Sequence, residues 1–240
     1  MIAQRRLTCF IALAAISILW LSPGSAVEKD NKAERKEGEY KIYSSGKDIG
    51  AEKYVMIVTA DAVTSSSTSD LHNPAGGSQK ITLTTRLEMD GHYLPRSYEL
   101  KSEVDGQKGS IRGEFAPNQV IFGYSGGGRS LREGLLLGDH FTMLDTNVFH
   151  HFIFLARLFK YNSGAKPQTF DVVIPQAKET GTIKMRELNN ETILIKGKKF
   201  NTTHLLVDSG ALQIHLWVDS ERIPRKIAVP DKGVEALHGN

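Results

Sequence analysis

Lys80-Ile81-Thr82-Leu83-Thr84-Thr85-Arg86-Leu87-Glu88-Met89 decides the fold class. Ile81, Leu83, Thr85, Leu87 and Met89 fall on one side of the chain and Thr82, Thr84, Arg86 and Glu88 on the other. An extended strand turns that period of two into one apolar face. Asp90-Gly91 follows, a pair that tolerates the left-handed backbone of tight hairpin turns. The same design repeats on both sides. Ser97–Val104 carries Tyr98, Leu100 and Val104 and ends at Asp105-Gly106. Upstream, Tyr40–Tyr43 alternates into a Ser44–Asp48 turn, and Lys53–Ala62 is rich in Tyr, Val, Ile and Thr. Downstream, Ile111–Phe115 and Gln119–Tyr124 flank Pro117-Asn118. Strand patterns resume at Thr169–Pro175, Thr182–Leu188, Glu191–Lys196, Thr202–Val207, Leu212–Val218 and Arg222–Val229. Asn189-Asn190 and Asp208-Ser209-Gly210 read as turns, and Pro224 as an edge or bulge position. The Ser-rich stretch Ser65–Gln79, with Asn73-Pro74 and Gly76-Gly77, reads as a loop. About eleven strands at this spacing predict an all-β, mainly antiparallel fold.

One segment breaks the pattern. Asp145–Phe159 lacks Gly and Pro and is apolar nearly all round, which predicts a buried helix capped by Asp145 or Thr146. The expected architecture is a curved meander sheet or open barrel with this helix packed on or in it.

The N-terminus has the layout of an export signal. Arg5-Arg6 precede the apolar run Leu7–Leu21, and Gly24 and Ala26 supply the small residues before a cleavage point. Residues 1–26 are therefore expected to be a cleavable signal peptide, since the run is shorter than the ~20 residues a spanning helix needs. Residues 27–37 are charged and read as a flexible leader, and residues 38–240 as one β-rich domain with no transmembrane segment in the mature chain. Cys9, the one cysteine, lies in the signal, which excludes disulfides and thiol chemistry from the mature chain. The net charge of +3 falls to +1 without Arg5 and Arg6, with no clustered basic surface for nucleic acid.

Three stretches carry a resemblance. Gly38-Glu39-Tyr40-Lys41-Ile42-Tyr43 opens the domain, the apolar helix interrupts it, and Asn201–Leu205, Leu216–Asp219 and Arg222–Ile227 close it. Over roughly 38–237 the chain resembles exported bacterial proteins grouped as domain of unknown function 3108 and its relatives. The resemblance implies a periplasmic or secreted β-meander, similar to the half-barrels of envelope lipoprotein carriers. It brings no catalytic residues.

The residues offer three functions. First comes a non-enzymatic envelope protein that binds an apolar or lipid-like ligand between the sheet and the helix, through Phe149, Phe152, Ile153, Leu83, Tyr98, Leu216 and Trp217. The second is a structural or interaction module with an envelope protein partner and no ligand. The third is a serine hydrolase, because Gly123-Tyr124-Ser125-Gly126-Gly127 fits G-x-S-x-G; but no helix clearly follows Ser125, and a glycine-rich hairpin is the simpler account. No cofactor or metal is expected. His150 and His151 are neighbours, about 100° apart on a helix. His204 and His215, with Asp219, could face one zinc ion across a hairpin, but an ordinary cross-strand pair requires less.

Overall fold

A computed structural model describes residues 33–73, 79–138, 141–162 and 166–239. The expected signal peptide lies outside the described residues. Among the described residues fifteen strands form a single sheet. In chain order they are β1 (Glu34–Ser44), β2 (Lys47–Val58), β3 (Ala62–His72), β4 (Lys80–Asp90), β5 (Pro95–Val104), β6 (Gln107–Ala116), β7 (Gln119–Gly126), β8 (Arg129–Leu136), β9 (Phe141–Met143), β10 (Gln168–Ile174), β11 (Glu179–Ile195), β12 (Lys198–Asp208), β13 (Gln213–Val218), β14 (Pro224–Val229) and β15 (Val234–His238). The helix α1 (His151–Leu158) lies between β9 and β10.

The order across the sheet is β8 to β1, then β15 down to β9, so the first and last strands meet in its middle. Every pairing is antiparallel except β9 with β10. The chain then dictates curvature. Laid flat, fourteen strand spacings would hold the two edges roughly 67 Å apart. Yet the link from the end of β8 to the start of β9 reaches at most about 18 Å. The sheet therefore curls until its edges approach, without a ladder that closes it into a barrel. Across the seam the Tyr124 hydroxyl donates to the Pro175 carbonyl at 3.0 Å, and Lys178 lies 3.9 Å from Glu133.

The core fills the concave side. Tyr40, Ile42, Tyr54, Met56, Leu87, Met89, Leu100, Val120, Phe122, Leu205, Leu216 and Ile227 point inward and pack with Ile153, Phe154 and Leu155 of α1. Each such side chain contributes about 1.5–3 kcal/mol by leaving water.

Several expectations need correction. Ser65–His72 is not loop but most of β3: Ser65, Ser67 and Ser69 alternate inward between Val63 and Leu71, all five buried. Ser69 donates to the Asn147 carbonyl in the chain entering α1, and Ser67 shares a hydrogen bond with Thr85 on β4. The helix is half the expected length. Asn147 takes a left-handed conformation (φ 61°), Asp145 bridges Val148, and helical structure begins only at His151. Neither Asp145 nor Thr146 caps it. Asn189-Asn190 is no turn but lies within the 17-residue β11, where a register shift between Glu187 and Asn189 bulges the strand. The glycine-rich stretch after Tyr124 continues β7, turns at Gly127-Gly128 and forms β8. β1 starts at Glu34, inside the segment read as a flexible leader. The Asp105-Gly106 turn follows expectation, with positive φ at both residues.

Gly50 shows what such a sheet demands of its backbone. It sits at φ 131° next to the register shift between β1 and β2, and a Cβ there would run into the Asp70 carbonyl on β3. Gly50→Ala is expected to cost about 1–3 kcal/mol, read as a lower urea midpoint at unchanged slope; an unchanged midpoint would show the strand relaxing freely.

Candidate functional site

A carboxyl group and two imidazoles lie buried at the start of α1. Glu52 is inward on β2, in phase with Tyr54 and Met56, and has 0% exposure. Its Oε2 accepts the backbone N–H groups of Phe149 and His150 at 2.7 and 3.0 Å. Its Oε1 lies 2.6 Å from Nδ1 of His150, itself fully buried. The turn entering a helix leaves N–H groups without intrahelical partners. Here a carboxylate from a distant strand supplies them, replacing a local capping residue. His151 packs its ring 4.6 Å from that of His150, and neither of its nitrogens has a hydrogen-bond partner. Burial, then the neighbouring His150, holds its pKa well below the usual imidazole value.

Two further connections pin the same region. The Tyr98 hydroxyl donates to Asp145 at 2.7 Å, and the other Asp145 oxygen accepts the N–H groups of Thr146 and Gln176. Burial outweighs these bonds and pushes the Asp145 carboxyl up to about 6. On the far side, Tyr54 shares a 2.7 Å hydrogen bond with Nε2 of His238, whose Nδ1 lies 3.0 Å from Arg225, which donates to Asp219. Burial, reinforced by Arg225, brings His238 down to about 4. Glu52, Asp145, Tyr98, Tyr54 and His238 spend their hydrogen bonds on one another and on nearby backbone, Arg225 and Gln176, while Nε2 of His150 and both nitrogens of His151 have no partner. Glu52 and His150 in particular lie wholly out of reach of a substrate, and the arrangement acts as a clamp on α1.

Phe149, Phe152, Ile153, Tyr98 and Leu216 all lie in the core cluster. Leu83 is buried on β4. Trp217 is apart from them on the outer face, stacked on His204 at 4.3 Å and donating to Glu191 at 2.7 Å. Ser125 sits in a regular ladder between Ser110 and Ser130, so the strand-to-helix turn a nucleophile elbow requires is absent. His204 and His215 do meet, 2.8 Å apart, but the acid beside them is Glu191, while Asp219 is committed to Arg225 and to backbone N–H groups. Among the described residues no group of three or more His, Asp or Glu is placed to hold a metal ion. No helix among them is long and apolar enough to cross a membrane.

Open space lies elsewhere on the concave side, toward the β8 edge. A cleft of about 490 Å3 has Leu100, Ile111, Tyr124 and Leu131 as neighbours across β5, β6, β7 and β8. Leu100 and Ile111 belong to the core cluster and Tyr124 packs against it, whereas Leu131 is 50% exposed. The next row across these strands is Ser102, Gly109, Gly126 and Arg129. Two adjacent glycines leave that row without side chains in its middle, and this is what opens the trough. Gln176, from the turn after β10, forms part of the lining. The volume falls within the range of small-molecule sites, about 300–1,000 Å3.

No family model matches the chain, and no curated protein matches it. Among solved structures it is similar to a β-barrel-like protein of domain of unknown function DUF1849 from Brucella abortus, with 13% identity, a TM-score of 0.57, and coverage of 87% of this chain and 96% of that one. It is also similar to a DUF1089 family protein from Pseudomonas aeruginosa, with 13% identity, a TM-score of 0.46, and coverage of 90% and 95%. The first likeness shows a β-barrel-like fold that extends over nearly the whole of both chains.

Proposed function

We propose that this chain is an exported, non-enzymatic envelope module that holds an apolar or lipid-like ligand on the concave side of its sheet. The observation that carries the reading is the glycine-floored trough, whose apolar row runs directly into the core. Apolar surface left open beside a packed core gains free energy when a dry partner covers it. Phe149, Phe152, Ile153, Tyr98 and Leu216 are packed into that same core, which supports a ligand beside the helix instead of under it. Export rests on residues 1–26, and the resemblance to envelope proteins of domain of unknown function 3108 points the same way.

The experiment is native mass spectrometry on protein recovered from an exporting host. The mature N-terminus is expected at Val27, with a reproducible adduct that organic extraction removes. Gly126→Val fills the trough where a Cβ meets only ordinary contacts, 3.5 Å from its nearest neighbours, so the fold is expected to survive. Adduct occupancy in Gly126→Val should fall about tenfold or more at an unchanged urea midpoint, the size of effect expected when a pocket contact worth about 1.4 kcal/mol is lost. A bare mass for the unaltered protein, or an adduct indifferent to Gly126→Val, would sink the reading.

One observation favours a second reading, an interaction module. β8 is an eight-residue terminal strand with no bulge against β7, and Leu136 on it is 83% exposed. Unprotected edges of this kind pair with other strands. A bare mass together with a co-purified protein bound through β8 would support it.

A further inference from the structure

We infer that the ligand of the concave trough carries an anionic head on an apolar chain. This rests on the proposed binding function and goes further by assigning the ligand's charge. The lining of the trough holds one ionisable cation, Arg129, and no Asp or Glu. Arg129 pairs across strands with Gly126, at the end of the bare row and beyond the exposed Leu131. Among the described residues no carboxylate lies within ion-pair distance of it, as is also true of Arg96, Arg132, Arg157, Arg186 and Arg222; what sets Arg129 apart is its place in the trough. Ser102 stands at the other end of the same row, while Ser110, Ser125 and Ser130 alternate to the opposite face of the sheet. At the opposite rim Glu133 is held by Lys178, which also stands 4.7 Å over the Tyr124 ring. The trough is thus polarised: apolar at Leu100, Ile111 and Tyr124, cationic at Arg129. A guanidinium fork donates to two oxygens of a carboxylate or phosphate at once. An amphiphile laid along the trough places its chain over the apolar row and its head at Arg129.

The test compares probes with one chain and different heads, titrated calorimetrically into delipidated protein: dodecanoate, dodecyl phosphate, dodecanol and dodecyltrimethylammonium. Both anions are expected to bind about five- to tenfold more tightly than dodecanol, the range for a charge-assisted bond discounted for exposure. The preference should shrink as salt rises. Arg129→Gln should remove the preference and leave dodecanol binding unchanged. The relative affinities of dodecanoate and dodecyl phosphate show whether a fatty carboxylate or a phosphate head is the better fit. Arg129 is exposed on an edge strand, so folding of the variant is readily confirmed by its urea midpoint. Equal binding of all four probes, tighter binding of the cation, or an anion preference that survives Arg129→Gln would overturn the anionic head while leaving an apolar binding function in place. Failure of every probe to bind would overturn both.

Discussion

Glu52→Ala is expected to lower the free energy of unfolding by roughly 3–5 kcal/mol, the cost of removing one partner from a buried, hydrogen-bonded pair. That is a large part of the roughly 5–15 kcal/mol by which a typical domain is stable. The effect is expected to exceed that of an ordinary core truncation because of what stays behind. The N–H groups of Phe149 and His150 and Nδ1 of His150 would lose their partner in an interior no solvent reaches. Each such orphan costs about 1–3 kcal/mol. Glu52→Gln keeps one acceptor oxygen and should lose roughly half as much. Loss should fall first on α1, so native-state hydrogen exchange is the sharper measurement: amides of Phe152–Leu155 should exchange much faster in Glu52→Ala while those of β12 and β13 keep their protection. A midpoint unchanged within error would mean that the pair is not a clamp, and a uniform rise in exchange would mean that the helix is not its special client.

Glu52 also shows how far the sequence could be read. Strand character followed from alternation wherever the inward residues were large: Leu83, Leu87 and Met89 on β4, Ile214, Leu216 and Val218 on β13. It failed where the inward residues were small. Ser65, Ser67 and Ser69 have the parity of a strand and the composition of a loop, and composition prevailed because serine is common in turns. The phase running from Val63 to Leu71 was the available clue. At α1 the apolar run was plain, but its start was not, because the carboxylate that satisfies the entering N–H groups lies 97 residues earlier. No local rule finds a cap of that kind. An acid at an inward position, in step with Tyr54 and Met56, was the signal for it.

The trough was less legible still. Gly126 reads as part of a glycine-rich hairpin and Gly109 falls between the Asp105-Gly106 turn and the Ile111–Phe115 strand, and the two combine only when β6 and β7 pair in one register, bringing Ser102 and Arg129 into the same row. The sequence drew attention to Ser125, a residue with the right motif and the wrong backbone. What matters in that stretch is its neighbour Gly126, which contributes an absence of side chain. A ligand chemistry built from missing atoms on two hairpins becomes visible only after the strands are laid side by side.

The second large effect is a hidden pH dependence. Burial raises the Asp145 carboxyl to about 6 in the folded chain, against an ordinary 3.8. The folded state therefore binds more proton than the unfolded one between those values, and stability falls as pH rises from about 4 to 6. The full contribution is roughly 3 kcal/mol, because each pH unit separating the folded and unfolded values is worth about 1.36 kcal/mol. His238 works in the opposite sense. Its folded value of about 4 lies below the ordinary 6.5, so the unfolded state binds more proton in that interval and stability falls as pH drops, again by roughly 3 kcal/mol. The two windows overlap, and between pH 4 and 6 these two contributions nearly cancel. Buried His151, also lowered, adds to the His238 direction. Single substitutions should separate them. Relative to the unaltered protein, Asp145→Asn should gain stability as pH rises from 4 to 7, whereas His238→Gln should gain it as pH falls over the same range. Urea midpoints collected at half-unit pH steps measure both differences. Parallel pH curves for all three proteins would show that neither group carries its altered proton affinity into the folding equilibrium. Curves that diverge in the stated directions would place two opposed titrations at the two ends of one clamp, Asp145 where the chain enters α1 and His238 on the strand beside β1.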